Sequence, residues 1–346
     1  MTIIGLWIKR LLVNKMSTLL AADIGGTKTL LQISSVDGAV LCQQRFVSGE
    51  FLRFEDLLAG FLYNLPADYL PIESACLAVA GPVSGRTAKV TNLPWLLDAD
   101  VLCRALNIGQ VLLINDFAAV GEGIAYLNAD DLMVLQTGLP DLSAPRAVIG
   151  AGTGLGQAFM TPIDDGWQVW ATEGGHTDFA PTDALQQQLL DFLLQQYVHV
   201  SYERLVSGMG LVNIYQFLSD LQQTEAAFDP TIDLPAHISA LAQQKDPLAT
   251  QTMALFVDIY GAQAGNLALS VMPRGGLYLA GGIASKNQAL FTDGKFIQAF
   301  LAKGRMQTLL ETIPLYLIKS DETGLRGAAL LARKALYNEA HDRLTK

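Results

Sequence analysis

The sequence predicts an α/β fold in two domains. The chain has 346 residues, more than one domain usually contains. Apolar strands alternate with helical segments along its first third, which is typical of an α/β layer fold. A strand, a glycine-rich turn and a second strand occur after residue 18 and again over 146–160, so each half opens on the same pattern.

In the first half, strands and helices follow one another closely. The segment TLLAADIGGTKTLLQISSVDGAVLCQQRFV, from Thr18, predicts three strands joined by a glycine turn and by a hairpin at Asp37-Gly38. The next elements are predicted in this order: a helix over 54–64, a buried strand over 75–83, a short helix over 98–107, a strand ending in VLLIND at 116, and a helix over FAAVGEGIAYL.

The second half repeats the opening pattern and then becomes mainly helical. RAVIGAGTGLGQAFM, over 146–160, predicts a strand, a glycine turn and a strand. The later elements are predicted in this order: a helix over 185–197, mostly helix over 203–271 with a break at 228–235, a strand over 275–284 that ends in glycines, a strand over 313–319, and a closing helix over 324–336.

Charge and cysteine content limit the possible partners and location. A net charge of −10 and a pI near 4.8 argue against nucleic-acid or anionic-membrane binding. The three cysteines are far apart and form no disulfide framework, so a reducing cytoplasm is expected. No apolar run is long enough to span a membrane.

Residues 1–16 are predicted to be an extension ahead of the first domain. Their apolar part is too short to span a bilayer, and Lys9 and Arg10 follow it, which is the wrong order for a secretory signal. A helix lying in a membrane interface is the alternative.

Three glycine-rich stretches could bind phosphate: DIGGTKT (23–29), GAGTGLG (150–156) and AGGIA (280–284). Glycines let backbone N–H groups approach an anion, and Thr27 and Thr153 add hydroxyl groups. None matches the Walker or dinucleotide-binding spacing, and each is predicted to lie between two strands. Any one alone would more simply be a tight hairpin.

Polar residues interrupt apolar segments at several points. VLLINDFAAV places Asn115 and Asp116 at the end of a buried strand, where an unpaired carboxylate is costly. ATEGGHTDFAP supplies Glu173 and His176, and HVSYERLVSG supplies Glu203. Their spacing does not fit zinc. Alone, His176 would more simply be structural, but together these carboxylates, amide and imidazole suit the hydroxyls of a sugar.

With these motifs, the chain resembles bacterial glucokinase, the ATP-dependent hexokinase-like family, over roughly residues 17–335. The motifs that carry the resemblance are DIGGTKT, VLLINDFAAV, AVIGAGTGLGQAF, EGGHTDFAP, HVSYERLVSGMGLVNIY and GGLYLAGGI. The related repressor/ORF/kinase (ROK) sugar kinases have a cysteine-rich zinc motif after their histidine. No cysteine follows His176 here, so that subfamily is excluded.

The resemblance implies the actin-like/hexokinase ATPase fold, two α/β domains around a cleft. The implied domains are a small one over 17–122 with about 320–340, and a large one over 123–319. The implied reaction transfers a phosphoryl group from ATP to the 6-hydroxyl of glucose, giving glucose 6-phosphate and ADP. The family also suggests a homodimer.

The resemblance also implies roles for single residues. Asp116 matches the catalytic base, and the sugar ligands are Asn115, Asp116, Glu173, His176 and Glu203. The ATP-binding positions are Asp23, Gly25, Gly26, Thr27, Lys28, Gly152, Thr153, Gly154, Gly281 and Gly282. Asp23 would hold Mg²⁺ through water, and a solvated lysine is an equal alternative for Lys28.

Three other functions fit parts of the sequence. The first is a kinase for another hexose, and the second is a non-catalytic sensor, for which a base at Asp116 would be superfluous. The third is an ATPase without a sugar acceptor, for which Glu173, His176 and Glu203 would be superfluous. ADP and polyphosphate stay open as donors beside ATP, the donor that the family suggests.

Overall fold

The computed structural model describes residues 17–164, 166–224 and 232–344. The predicted extension over 1–16 lies outside the described residues, as does part of the predicted helix break over 228–235. The chain divides into two compact units. Unit 1 runs to Tyr126 and includes the chain from Glu322 onward, and unit 2 is Leu127–Asp321.

Unit 1 contains a five-stranded sheet, a small three-stranded sheet and four helices in its described part. Its elements are β1 (Thr18–Ile24), β2 (Lys28–Ser35), β3 (Val40–Val47), α1 (Phe54–Tyr63), β4 (Ile72–Val79), β5 (Val83–Ser84), β6 (Thr87–Lys89), β7 (Leu96–Asp98), α2 (Ala99–Leu106), β8 (Gln110–Asn115), α3 (Asp116–Ile124) and α12 (Thr323–Leu344).

The larger sheet of unit 1 brings several strand ends to one edge. Its strand order is β3-β2-β1-β4-β8, with β1, β4 and β8 parallel. Asp23 pairs with Ala78 of β4, and Asn115 pairs with Val79. Strands lie about 4.8 Å apart, so two steps across the sheet place the β1 and β8 ends within about 10 Å. Polar residues that follow these strands therefore share one edge.

The closing helix α12 covers one face of this sheet. Leu325, Ala328 and Ala332 pack against Leu19 and Ala21 of β1 in a buried cluster. α12 also touches α3 backbone to backbone: a Cβ at Gly327 would clash with the Ala119 carbonyl oxygen. The position of α3, whose first residue is Asp116, is therefore fixed by α12.

Unit 2 contains a six-stranded sheet and eight helices in its described part. Its elements are β9 (Leu132–Gln136), β10 (Arg146–Ala151), β11 (Leu155–Ile163), β12 (Gly166–Thr172), α4 (Ala184–Leu193), α5 (Gly208–Gln222), α6 (Leu234–Gln243), α7 (Pro247–Val271), β13 (Leu277–Ala280), α8 (Gly282–Lys286), α9 (Gln288–Thr292), α10 (Lys295–Leu301), α11 (Gln307–Leu310) and β14 (Leu315–Ile318).

The sheet of unit 2 packs one face against its long helices. The strand order is β12-β11-β10-β13-β14-β9. Helix α7 begins where Asp246 caps the Ala249 N–H at 2.8 Å ahead of Pro247, a common helix start. The Tyr260 hydroxyl on α7 donates to the Ile149 carbonyl at 3.1 Å, which ties the helix to β10. Burial raises the pKa of Tyr260, so this hydroxyl keeps its proton.

Two local predictions are wrong. Asp116 was predicted to end a strand, but it is the first residue of α3, because Asn115 already caps that helix. The stretch 280–284 was predicted to lie between two strands, but the five-residue helix α8 begins within it, at Gly282. None of the helices in the described part of the chain combines the length and the apolar character needed to cross a bilayer.

Candidate active site

The first glycine turn, residues 25–27, joins β1 to β2 in unit 1. The Gly25 N–H donates to the Lys28 carbonyl at 2.9 Å. Ser48, which is fully buried, braces the turn twice: its N–H donates to the Thr27 carbonyl at 3.0 Å, and its Oγ donates to the Gly25 carbonyl at 2.8 Å. Thr27 and Lys28 are exposed, so a fixed turn presents both side chains to solvent.

Asn115 and Asp116 sit where β8 turns into α3. The Asn115 Oδ1 accepts the N–H groups of Phe117 at 2.9 Å and Ala118 at 3.2 Å, which makes Asn115 the helix N-cap. The Asp116 carboxylate lies in the first helical turn, at the positive end of the helix dipole, and accepts the Phe117 N–H at 2.9 Å. The helix start thus accommodates two polar groups after an apolar strand.

Asp23 offers a carboxylate at the same sheet edge. It is half-buried near the end of β1, and its register with Ala78 puts it on the sheet face that α12 covers. Mg²⁺ usually takes one or two protein carboxylates and completes its shell with water and phosphate oxygens. Within the described part of the chain, no group of three or more His, Cys, Asp or Glu could hold a metal. A carboxylate such as Asp23 fits a metal that arrives with a nucleotide.

The second glycine turn, residues 152–154, joins β10 to β11 in unit 2. The Gly152 N–H donates to the Gly154 carbonyl at 2.8 Å, and the Gly152 carbonyl accepts the Gly208 N–H at 2.8 Å. The Leu155 N–H, just after the turn, donates to Glu203 Oε2 at 2.9 Å. Thr153 is exposed at the tip, as Thr27 is in unit 1.

The third glycine stretch lies beside this turn. Gly281 has a φ of +88°, and a Cβ there would clash with the carbonyl oxygen of Ala151, the residue before the turn. Glycine is therefore required for both the conformation and the close approach. A Cβ at Gly282 would meet no atom within 4 Å, so this backbone is open to a ligand.

Glu173, His176 and Glu203 form one cluster in unit 2. The His176 Nε2 lies 3.7 Å from Glu173 Oε2, and its Nδ1 lies 3.8 Å from Glu203 Oε1. Both separations exceed hydrogen-bond length, which leaves the imidazole and both carboxylates with capacity for ligand hydroxyls. Glu173 and His176 are 75% and 59% exposed, so a ligand can reach them.

Buried neighbours hold this cluster in place. The Tyr202 N–H donates to the Thr177 carbonyl at 3.0 Å, which pairs the segment carrying Glu203 with the one carrying His176. The Tyr202 hydroxyl accepts from Asn266 Nδ2 at 3.0 Å. Burial raises the pKa of Tyr202, so this hydroxyl stays protonated and the Tyr202 side chain stays neutral beside the cluster.

The sequence-predicted residues therefore form two groups. Unit 1 brings together the first glycine turn, Asp23, Asn115 and Asp116, and unit 2 brings together the other two glycine stretches and the Glu173–His176–Glu203 cluster. The sequence did not reveal the bracing role of Ser48 or the bond from the Leu155 N–H. A lone buried serine and a backbone N–H carry no recognisable pattern.

Comparison with known proteins decides the family: the family model described as Glucokinase matches residues 20–335. The chain belongs to the glucokinase family. It is 45% identical to the glucokinase of Trichormus variabilis over 342 residues, which cover 92% of this chain and all of the relative.

Solved structures agree with the predicted fold. A glucokinase from an Antarctic psychrotroph matches with a TM-score of 0.75 and 30% identity, over 92% of this chain and all of that one. A Balamuthia mandrillaris glucokinase in complex with glucose matches with a TM-score of 0.81 and 24% identity, over 93% of this chain and 96% of that one. The predicted actin-like kinase fold is confirmed, and so is the enzyme class, an ATP-dependent glucokinase of EC 2.7.1.

Proposed function

We propose that the protein transfers the γ-phosphoryl group of ATP to the 6-hydroxyl of glucose, with Asp116 as the general base. The observation that carries this proposal is the position of Asp116: a partly exposed carboxylate in the first turn of α3, at the sheet edge where Asp23 and the first glycine turn also lie. A carboxylate at a defined helix start can be held in one geometry relative to a bound hydroxyl.

Glucose is bound by the amide of Asn115 and by Glu173, His176 and Glu203. Because the Asn115 Oδ1 caps α3, its Nδ2 is the group available to donate to a sugar oxygen. The carboxylates accept from sugar hydroxyls, and the imidazole donates or accepts according to its tautomer. These contacts fix the sugar ring so that its 6-hydroxyl faces the phosphoryl donor. Holding the two reactants in this geometry accelerates the phosphoryl transfer.

The chemical step needs a base and anion-binding donors. Asp116 accepts the proton as the 6-oxygen attacks the γ-phosphorus, and the bond to the β-phosphate oxygen breaks to release ADP. The N–H groups and hydroxyls of the turns at 25–27 and 152–154 hold the phosphates, and Gly281 and Gly282 line the adenosine side. Asp23 would hold Mg²⁺ through water, and the ion would supply positive charge to neutralise the phosphates.

Replacing Asp116 by Asn tests the base. Asparagine keeps the size and the helix position but cannot take a proton, so we expect turnover to fall about 100- to 10,000-fold while glucose affinity changes little. A coupled assay of glucose 6-phosphate and calorimetry with glucose measure the two quantities. Asp56→Asn, in the exposed first turn of α1, is the matched control and should keep full turnover. Near-normal turnover of Asp116→Asn would contradict the role of a base.

A donor and acceptor panel tests the reaction itself. We expect phosphorylation with ATP and glucose, and little from ADP, polyphosphate or other hexoses. ATP hydrolysis that proceeds equally without sugar would contradict the proposal and favour the sugar-independent ATPase.

We further propose that the enzyme works in the cytoplasm as a homodimer. Cys42, Cys76 and Cys103 are all free thiols, which suits a reducing compartment. The homodimer rests on the family resemblance, and light scattering of the purified chain tests it.

A further inference from the structure

The Glu203 carboxylate faces two parts of unit 2 at once. Its Oε1 lies 3.8 Å from His176 Nδ1, in the cluster proposed to bind glucose. Its Oε2 accepts the Leu155 N–H at 2.9 Å, directly after the turn proposed to bind phosphate. One carboxylate therefore joins the sugar contacts to the 152–154 turn.

The chain segment that carries Glu203 holds this turn at both ends. Gly208 donates its N–H to the Gly152 carbonyl at 2.8 Å, while Glu203 accepts from Leu155 at the other end. The Ser207 Oγ donates to the Glu203 carbonyl at 2.7 Å, which adds a bond within the segment 203–208. This segment therefore contacts the turn through the Glu203 side chain at one end and through a backbone N–H at the other.

The contact between Glu203 and the turn is too close for a side chain. A Cβ at Gly154 would clash with Glu203 Oε2, whereas a Cβ at Gly152 would meet nothing within 4 Å. Glu203 is also only 33% exposed, so its charge-assisted hydrogen bond is partly shielded from competing water. The turn and the carboxylate can keep this geometry only with glycine at 154.

We propose that Glu203 is a positioning residue that couples glucose binding to nucleotide binding. A sugar hydroxyl that donates to Oε1 fixes the carboxylate, and Oε2 then holds the 152–154 turn in the form that receives phosphate. Glucose binding therefore already bears the conformational-entropy cost of ordering the 152–154 turn. The nucleotide, which binds to the ordered turn, then binds more tightly. This inference rests on the proposed function, because it uses the proposed glucose and phosphate contacts.

The test is the affinity of the full-length chain for a non-hydrolysable ATP analogue, measured calorimetrically with and without saturating glucose. In the wild type, glucose should tighten analogue binding at least about fivefold, and the analogue should tighten glucose binding by the same factor. Glu203→Ala removes both contacts and should reduce this factor to near one. Glu203→Gln can still accept the Leu155 N–H through its amide oxygen, so it should restore most of the factor even though its sugar affinity falls.

A second pair of variants tests the same link without changing Glu203. Gly154→Ala pushes the carboxylate away and should abolish the coupling factor, while Gly60→Ala, an exposed position in helix α1 where a Cβ meets no atom within 4 Å, is the control and should keep the wild-type factor. The inference is overturned if glucose does not tighten analogue binding in the wild type, or if Glu203→Ala and Gly154→Ala keep the factor. Either result in an enzyme that still makes glucose 6-phosphate leaves the proposed function intact.

Discussion

At the scale of single residues, Asn115 shows how one side chain serves structure and ligand together. Its Oδ1 is committed to two backbone N–H groups at the start of α3. Its Nδ2 lies 3.5 Å from the Gly81 carbonyl, a weak contact that a better acceptor can replace. Asn115 can therefore donate to a sugar oxygen but has little capacity to accept from one.

Two substitutions of Asn115 separate these tasks. Asn115→Asp keeps a good N-cap but loses the NH₂ donor, so stability should stay near wild type while glucose affinity falls about 5- to 150-fold. Asn115→Ala loses both and should also lower the free energy of unfolding by about 1 kcal/mol. Urea unfolding and calorimetry with glucose measure the two effects. Wild-type glucose affinity in Asn115→Asp would show that Nδ2 is not a sugar donor.

The sequence identified the candidate side chains at this scale, but not the groups that hold them. Asn115 and Asp116 were recognisable because polar groups after an apolar strand are costly. Ser48 was not, because its function depends on reaching the carbonyl of Gly25, far from it in sequence. Every residue except proline has a backbone N–H, so the sequence does not single out that of Leu155. Only the fold shows that this group donates to Glu203.

At the scale of elements, the contact of α3 with α12 determines where the proposed base lies. Gly327 and Gly123 allow the two backbones to touch, since a Cβ at either would clash with a carbonyl oxygen of the other helix. Any increase in this separation moves α3, and with it Asp116, relative to the sheet.

Gly327→Ala should therefore harm stability and turnover together. Overpacking of this kind costs about 1–3 kcal/mol, and a 1 Å displacement of a catalytic group can lower turnover up to about 100-fold. Thermal unfolding and the coupled assay measure both.

Gly60→Ala is the control for this prediction. Gly60 is exposed in helix α1, and a Cβ there would have no atom within 4 Å. It should stabilise by up to about 1 kcal/mol and leave turnover unchanged. If Gly327→Ala behaves like this control, the helix contact does not position the base.

Prediction of elements succeeded where burial is continuous and failed at short or edge segments. β1, β2, β10 and β11 were recognisable as apolar runs around glycine turns. β9 and β12 are the edge strands of the unit 2 sheet and are only half-buried, so their apolar pattern is weak. The five residues of α8 are too few to show helical periodicity, which is why the third glycine stretch was misassigned.

At the scale of the whole molecule, unit 1 is assembled from both ends of the sequence. One face of its larger sheet packs against α12, which comes from the end of the sequence, whereas the core of unit 2 is formed within one continuous stretch. The domain boundaries predicted near residues 122 and 320 stay a prediction, which fragments of the chain can test.

We expect residues 127–321 to fold alone and residues 1–126 alone not to fold cooperatively. Joining 1–126 to 322–346 by a short glycine-serine linker should restore folding, because Gly123 already packs against Thr323. Circular dichroism and thermal unfolding of the three fragments measure this. A cooperative transition in 1–126 alone would show that α12 is dispensable for the sheet.

Because α12 lies at the end of the sequence, unit 1 begins to be synthesised before unit 2 but can complete its fold only after unit 2 has been synthesised. Ribosomes add about 5–20 residues per second, so about 10–40 s pass between the emergence of the first sheet and that of its last helix. Unit 2, although made second, can finish folding first. During this interval Leu19, Ala21 and Ala78 have no partner from α12, and a chaperone that covers them would be most needed then.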